Sequence, residues 1–155
     1  MSQGDVLREL LGRVTVAALG TFDGEEPFVS MTPYAVAVDG RGIILHVSRL
    51  AAHTRNMLRH PAVSLLVMEP EGPGKMAQAL ARVTVQGTAQ FLEATDEGYA
   101  EAREAYLERF PRSAELFSFG DFGLVLVTVR SARLVGGFAQ AHSLTAEAFA
   151  RAVTS

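Results

Sequence analysis

The sequence predicts an antiparallel β-barrel, closed or nearly closed, with short flanking helices, and three observations carry that prediction. Runs rich in β-branched and aromatic residues are joined by Asp23-Gly24 and Asp39-Gly40, dipeptides suited to hairpin turns. Six or seven such runs occur with helical periodicity between only some of them, whereas a doubly wound parallel sheet needs a helix at every crossover. Of 155 residues 48% are hydrophobic, enough for one core, so residues 1–155 read as a single domain.

Asp5 is placed to cap a short helix whose apolar residues Val6, Leu7, Leu10 and Leu11 follow helical spacing. Val14–Thr21 and Phe28–Val36 form a hairpin around Phe22-Asp23-Gly24, and Ile43–Val47 adds the third strand of a meander. The period then changes. Leu50, Thr54, Met57 and Leu58 make a helical stripe between Leu50 and His60 that stops at Pro61. Ala62–Met68 returns to strand, residues 69–79 form a long loop, and Arg82–Leu92 alternates as a strand does. Tyr99, Ala102, Arg103, Tyr106 and Phe110 mark one face of a helix ended by Pro111, an aromatic stripe that reads as core. Gly123–Arg130 and Arg133–Phe138 are the last strands, and Thr145 caps a closing helix that runs to Val153. Inward side chains fill a barrel this small, so a large ligand must sit at a rim or between subunits.

Composition excludes several functions. Fourteen Lys and Arg against seventeen Asp and Glu give a net charge of −3, which is no footprint for nucleic acid. The absence of cysteine excludes disulfides, thiolate nucleophiles and iron–sulfur clusters, and makes the cytoplasm the default location. The N-terminal MSQGDVLRELLGRV has charges inside its apolar pattern, so neither a signal peptide nor a membrane span is expected. Gly74-Lys75 is followed by Met76, which defeats a phosphate-cradling loop, and no dinucleotide, zincin or nucleophile-elbow pattern is present.

One stretch is anomalous in charge. Between Asp39 and Glu69 there is no acidic residue, yet Arg41, Arg49, Arg55, Arg59, His46, His53 and His60 are present. On the predicted helix Arg49, His53, Asn56 and His60 fall at i, i+4, i+7 and i+11, one face away from the apolar stripe. Ser48 stands at the expected N-cap, so the free N–H groups of the first turn and the positive end of the dipole point to the same region, an anion site. A solvated face is the plainer reading of any one arginine, and His53 alone suits packing as well as a phosphate contact. A metal held by His53 and His60 is not expected, because they sit two turns apart with no paired carboxylate. Gly136-Gly137-Phe138 allows either a flat ligand or a tight corner, and His142 is either a haem ligand or an exposed loop residue.

The segment Ser48-Arg49-Leu50-Ala51-Ala52-His53-Thr54-Arg55-Asn56, followed by Pro61 and Ala62–Leu66, resembles the FMN-binding split barrel of the pyridoxamine 5′-phosphate oxidase-related superfamily, nearest its haem-utilisation (HugZ-like) branch. Arg82–Gly87, Tyr106–Pro111, Phe119–Phe122 and Arg133–Phe138 extend the likeness in order from about residue 14 to 144. The resemblance implies that Ser48, Arg49, His53, Thr54 and Asn56 hold the FMN phosphate, that Arg82 reaches the flavin, and that Thr32, Pro33 and Tyr34 lie along its ring. It also implies a homodimer, with the second subunit's residues 136–138 near the cofactor. The function implied is an FMN-dependent oxidoreductase acting on a small molecule. The alternatives are a haem-binding protein on the same fold, with His142 as axial ligand, and a cofactor-free interaction module. The pyridoxal-phosphate residues of true pyridoxamine phosphate oxidases have no counterpart at this C-terminus, so that substrate is not expected. No catalytic acid or base is identifiable.

Overall fold

The computed structural model describes residues 1–137 and 140–155. Helix α1 spans Gln3–Arg13, and Ser2 rather than Asp5 is its N-cap. Ser2 Oγ accepts the Asp5 N–H at 3.1 Å while the Asp5 carboxylate accepts the Ser2 N–H at 3.0 Å, a reciprocal box that puts the acid at the third helical position.

The strands are β1 (Val16–Phe22), β2 (Pro27–Pro33), β3 (Ala35–Val36), β4 (Gly42–Ser48), β5 (Ala62–Met68), β6 (Arg82–Leu92), β7 (Phe122–Val135) and β8 (Ala141–Thr145). Helices α2 (Ala52–Arg59), α3 (Tyr99–Arg109) and α4 (Ala146–Thr154) flank them, and Thr145 caps α4 as expected. All pairings are antiparallel, in the order β2-β1-β5-β6-β7-β4-β3, with β8 on β7. β2 and β3 therefore stand at opposite ends of the sheet although Tyr34 alone separates them in the chain. One bent segment pairs β1 with its first part and β4 with its second, and this draws the sheet into a curl. The expected barrel class holds. The meander holds only through that bend, because β4 sits between β3 and β7 rather than beside β2.

The two last strands expected from the sequence are one continuous strand of 14 residues, β7. It absorbs a shift in register opposite Gln86 and Gly87, where Arg130 drops out of the pairing. Gly87 is required there, since a Cβ on it would lie 2.4 Å from the Thr128 carbonyl oxygen. The end expected for the last strand, Phe138, lies outside the described residues. Strand β8 had no sequence signal, because five residues with four small or polar members carry too little alternation.

Leu19, Ile43, Leu45, Leu65, Val83, Val125 and Val127 fill the barrel interior, and Leu7 from α1 and Phe149 from α4 join the same core. A second apolar layer of Ala35, Ile44, Leu92, Ala102, Tyr106 and Leu124 lies where α3 meets β3, β4 and β7. The bend at Tyr34 is tied to both helices. Its buried hydroxyl is 2.6 Å from the Val14 carbonyl and 3.1 Å from that of Leu11. Arg109 donates to the same two oxygens at 2.9 and 2.8 Å, and its guanidinium rests 4.9 Å over the Tyr34 ring. The carbonyls left open at the end of α1 are thus satisfied by one phenol and one guanidinium.

Replacing Tyr34 by Phe leaves two buried carbonyls with fewer donors and lowers stability by about 1–2 kcal/mol in urea unfolding; an unchanged midpoint contradicts the tie. Burial pushes the Tyr34 phenol up to about 12, against an opposing pull from Arg109. A raised value in the folded state means that this contribution is complete below the unfolded tyrosine value of about 10 and fades as pH rises through about 12. Tyr34→Phe lacks that alkaline loss.

Candidate functional site

The segment with the charge anomaly runs from the end of β4 through α2. β4 stays paired with β7 as far as Ser48 opposite Phe122, so the chain turns at residues 49–51 before helix geometry begins. Ala51, not Ser48, is the N-cap, and it has no capping side chain. The Ser48 hydroxyl instead accepts the Leu50 N–H at 3.2 Å within the turn. Thr54 is fully buried and donates to the Ser48 carbonyl at 2.6 Å, pinning α2 to the end of β4.

The face of α2 expected to present ligands is laid against the β1–β2 hairpin. Asn56 Nδ2 donates to Thr21 Oγ1 at 3.0 Å, and His53 Nδ1 lies 3.1 Å from the Ser30 hydroxyl. The His60 ring meets Phe22 edge-on with centroids 5.3 Å apart. Burial holds His53 below the ordinary histidine range and so favours the neutral ring. Arg49 precedes α2 and turns the other way. Its guanidinium is 3.4 Å from the Glu93 carboxylate, 5.5 Å over Phe91, and packed beside Gly123 at the start of β7. Arg49 thus contacts Phe91, Glu93 and Gly123, while His53 contacts Ser30 of β2.

The other expected positions are occupied by the fold. Thr32 is buried and donates to the Pro33 carbonyl, and Tyr34 is the phenol that holds α1. Pro33 is half-buried at the end of β2, opposite Val16. Arg82 donates to the carbonyls of Leu80 (2.8 Å) and Gln78 (3.2 Å), securing the loop before β6. The hydroxyls of Thr32, Tyr34 and Thr54 thus each donate to a backbone carbonyl of the fold.

The other end of the barrel offers different chemistry. A cavity of about 260 Å³ lies between α1 and the ends of β5 and β7, lined by Val6, Leu10, Val14, Arg13, Glu69 and Gly136 among others. Gly136 was singled out in the sequence; the α1 residues were not, because they read as an ordinary amphipathic helix. His142 is half-buried on β8 opposite Leu134, with Nδ1 3.0 Å from Gln3 Nε2 on α1. It is a strand residue rather than the exposed loop residue that was the plainer expectation. Among the described residues no group of three or more His, Cys, Asp or Glu could hold a metal, and no helix is long and apolar enough to cross a membrane.

The model of the family described as pyridoxamine 5′-phosphate oxidase matches residues 4–136. The chain belongs to this family. Within it, the chain is 33% identical over 145 residues to the chloroplastic non-canonical heme oxygenase HOZ of Arabidopsis thaliana, an alignment covering 91% of this chain and 42% of that protein. It is 28% identical over 141 residues to the heme oxygenase HutZ of Vibrio cholerae, covering 90% and 76%. Among solved structures, a heme-binding protein from Mycobacterium smegmatis superposes with a TM-score of 0.85 at 30% identity, covering 97% of this chain and 61% of that one. The structure of HutZ, there described as a heme storage protein, gives 0.80 at 24% identity over 90% and 99%, a likeness of fold. The chain spans less than half of the Arabidopsis relative and about three fifths of the mycobacterial one. The split barrel and its haem-utilisation branch, expected from the motif around Ser48–Asn56, are those of the family members it matches.

Thr54→Val removes the donor that pins α2 while keeping its shape, and costs about 1 kcal/mol in thermal or urea unfolding. A variant as stable as the parent contradicts the structural role given to this hydroxyl.

Proposed function

We propose that this protein binds haem, with His142 as the iron ligand, rather than holding FMN on α2. What supports the reading is that relatives described as heme oxygenases and as a heme-binding protein align over nine tenths or more of this chain. Of the residues expected to hold a flavin phosphate, Thr54 and Asn56 donate to groups of the fold and His53 faces Ser30.

The residues around His142 fit an iron ligand. A ligating histidine normally has its second ring nitrogen fixed by a neighbouring acceptor, which sets the tautomer and the direction of the ring. Gln3 stands at Nδ1, and a half-turn of its amide presents the carbonyl oxygen to an Nδ1–H. Nε2 is then the unprotonated nitrogen. Iron held there supplies one-electron and oxygen chemistry when bound. The protein's own part is to orient that imidazole through Gln3, and to offer Val6, Leu10 and Val14 of the same helix as apolar surface in a cavity where Arg13 is paired with Glu9.

A cavity of about 260 Å³ is below the roughly 300–1,000 Å³ of sites that enclose a drug-sized ligand, so a macrocycle seated there projects from this protomer and leaves an edge for a second copy to cover. The outward face of β1, β2 and β5 suits a second copy. Its paired rows are Met31–Ala18–Leu66 and Val29–Gly20–Ser64, apolar or small throughout, with Val29 69% and Met31 63% exposed. A homodimer through this face is part of the proposal.

Titration of the purified protein with haemin is expected to give a shifted, intensified Soret band that His142→Ala loses or weakens at least tenfold in affinity. A spectrum identical to free haemin overturns the reading, and quenching of FMN fluorescence in its place restores the flavin. Val29→Glu with Met31→Asp is expected to give a monomer by light scattering, with haem affinity reduced at least tenfold. A parent protein that is itself monomeric rules out the shared site.

A further inference from the structure

His46 is the one strongly buried histidine of the four, 6% exposed on the side of β4 that carries Ile44. It contributes nothing to the candidate site, and its Nδ1 has no hydrogen-bond partner among the described residues. Aromatic rings surround it. Phe117 stacks on it at 3.9 Å between centroids and 12° between planes, Tyr106 meets it edge-on at 5.5 Å, and Phe122 lies tilted at 5.3 Å. Phe117 belongs to the 3-10 segment Pro111–Ser118, in which no residue is fully buried. The segment lays Phe117 on His46, and its Ser113 hydroxyl meets the Tyr106 phenol of α3.

We propose that His46 is the latch of an acid-released flap: protonation of its imidazole expels Phe117 and frees residues 111–121 from β4 and α3. In the neutral ring one nitrogen carries a proton and the other a lone pair, and stacking on phenyl rings suits that state. A second proton adds a buried N–H with no acceptor and a charge with no counter-ion. The groups facing the ring decide the direction. From α3 come the Arg103 guanidinium, 4.9 Å over Phe117, and the Tyr106 phenol, which is itself raised by burial. From β7 comes Phe122, and β4 contributes no other titratable side chain. On the 3-10 segment Arg112 and Glu115 are exposed to solvent. Asp121 lies beside Phe122, and its backbone carbonyl accepts the Arg49 N–H. Burial, and then Arg103, hold the ring down to about 4, and no carboxylate acts on it. A free histidine titrates near 6.5, so the closed flap keeps its full advantage above that value and loses it as pH falls toward about 4. Release also breaks the Arg49–Asp121 bond, so the flap is connected to the turn that leads into α2.

Hydrogen–deuterium exchange of the full chain, corrected for intrinsic rates, tests this between pH 7 and 4.5. Exchange across 111–121 is expected to rise about tenfold from pH 6 to pH 5 while β6 stays protected, the slope of one proton per opening. His46→Phe, which keeps the stack and cannot titrate, is expected to be flat. No acceleration in the parent, the same acceleration in the variant, or loss of β6 protection in step with the flap each overturns the proposal. Should His46→Phe fail to fold, histidine NMR of the parent decides. An imidazole that titrates at 6.5 or above with 111–121 still protected is incompatible with a latch.

Discussion

Everything in this fold depends on one bend. The chain leaves β2 at Pro33 and enters β3 at Ala35, yet these strands pair at opposite ends of the sheet, so Tyr34 is where a flat sheet becomes a curled one. A bend of that kind leaves backbone groups unpaired and must be held from outside the ladder. The Tyr34 phenol and Arg109 do this by ending α1 against the bend, which ties the first helix, the sheet edge and α3 into one unit. The interior can then be filled by β-branched and leucine side chains without any large void, and a ligand is left to the rim.

The same constraint distributes the polar residues. A turn between β4 and α2 needs donors for its carbonyls, and Thr54 supplies one; the loop before β6 needs another, and Arg82 supplies it. Side chains that look like ligands in a linear motif are therefore consumed as local braces. His53 and Asn56 meet the hairpin, where burial favours the neutral imidazole, and Arg49 is paired with Glu93. At the α1 end of the barrel a cavity is lined by Val6, Leu10 and Val14, and on β8 His142 lies within hydrogen-bond distance of Gln3 of the same helix.

Much of the architecture was legible in the sequence. The Asp-Gly turns and the alternation in Arg82–Leu92 follow from local chemistry and appear where they were expected, whereas of the helical stripe ending at Pro61 only Thr54 and Met57 are buried, Leu50 preceding the helix and Leu58 facing solvent. What escaped was non-local. Ser48 looks like an N-cap by residue type, but pairing of β4 with β7 extends through it and moves the helix start to Ala52. Tyr34 looks like a ligand-facing aromatic until the bend puts it under α1. β8 is too short and too polar to announce itself, and with it the setting of His142 was hidden. His46 was visible only as part of a basic stretch, because both faces of β4 are covered and its aromatic surroundings come from α3, β7 and residues 111–118.

The account stands or falls on iron held by a protein imidazole at the α1–β8 end of the barrel. The most direct measurement is the resonance Raman spectrum of the ferrous haem complex. The account predicts an iron–histidine stretching band that disappears in His142→Ala. A complex with no such band, or one whose band survives that substitution, contradicts it.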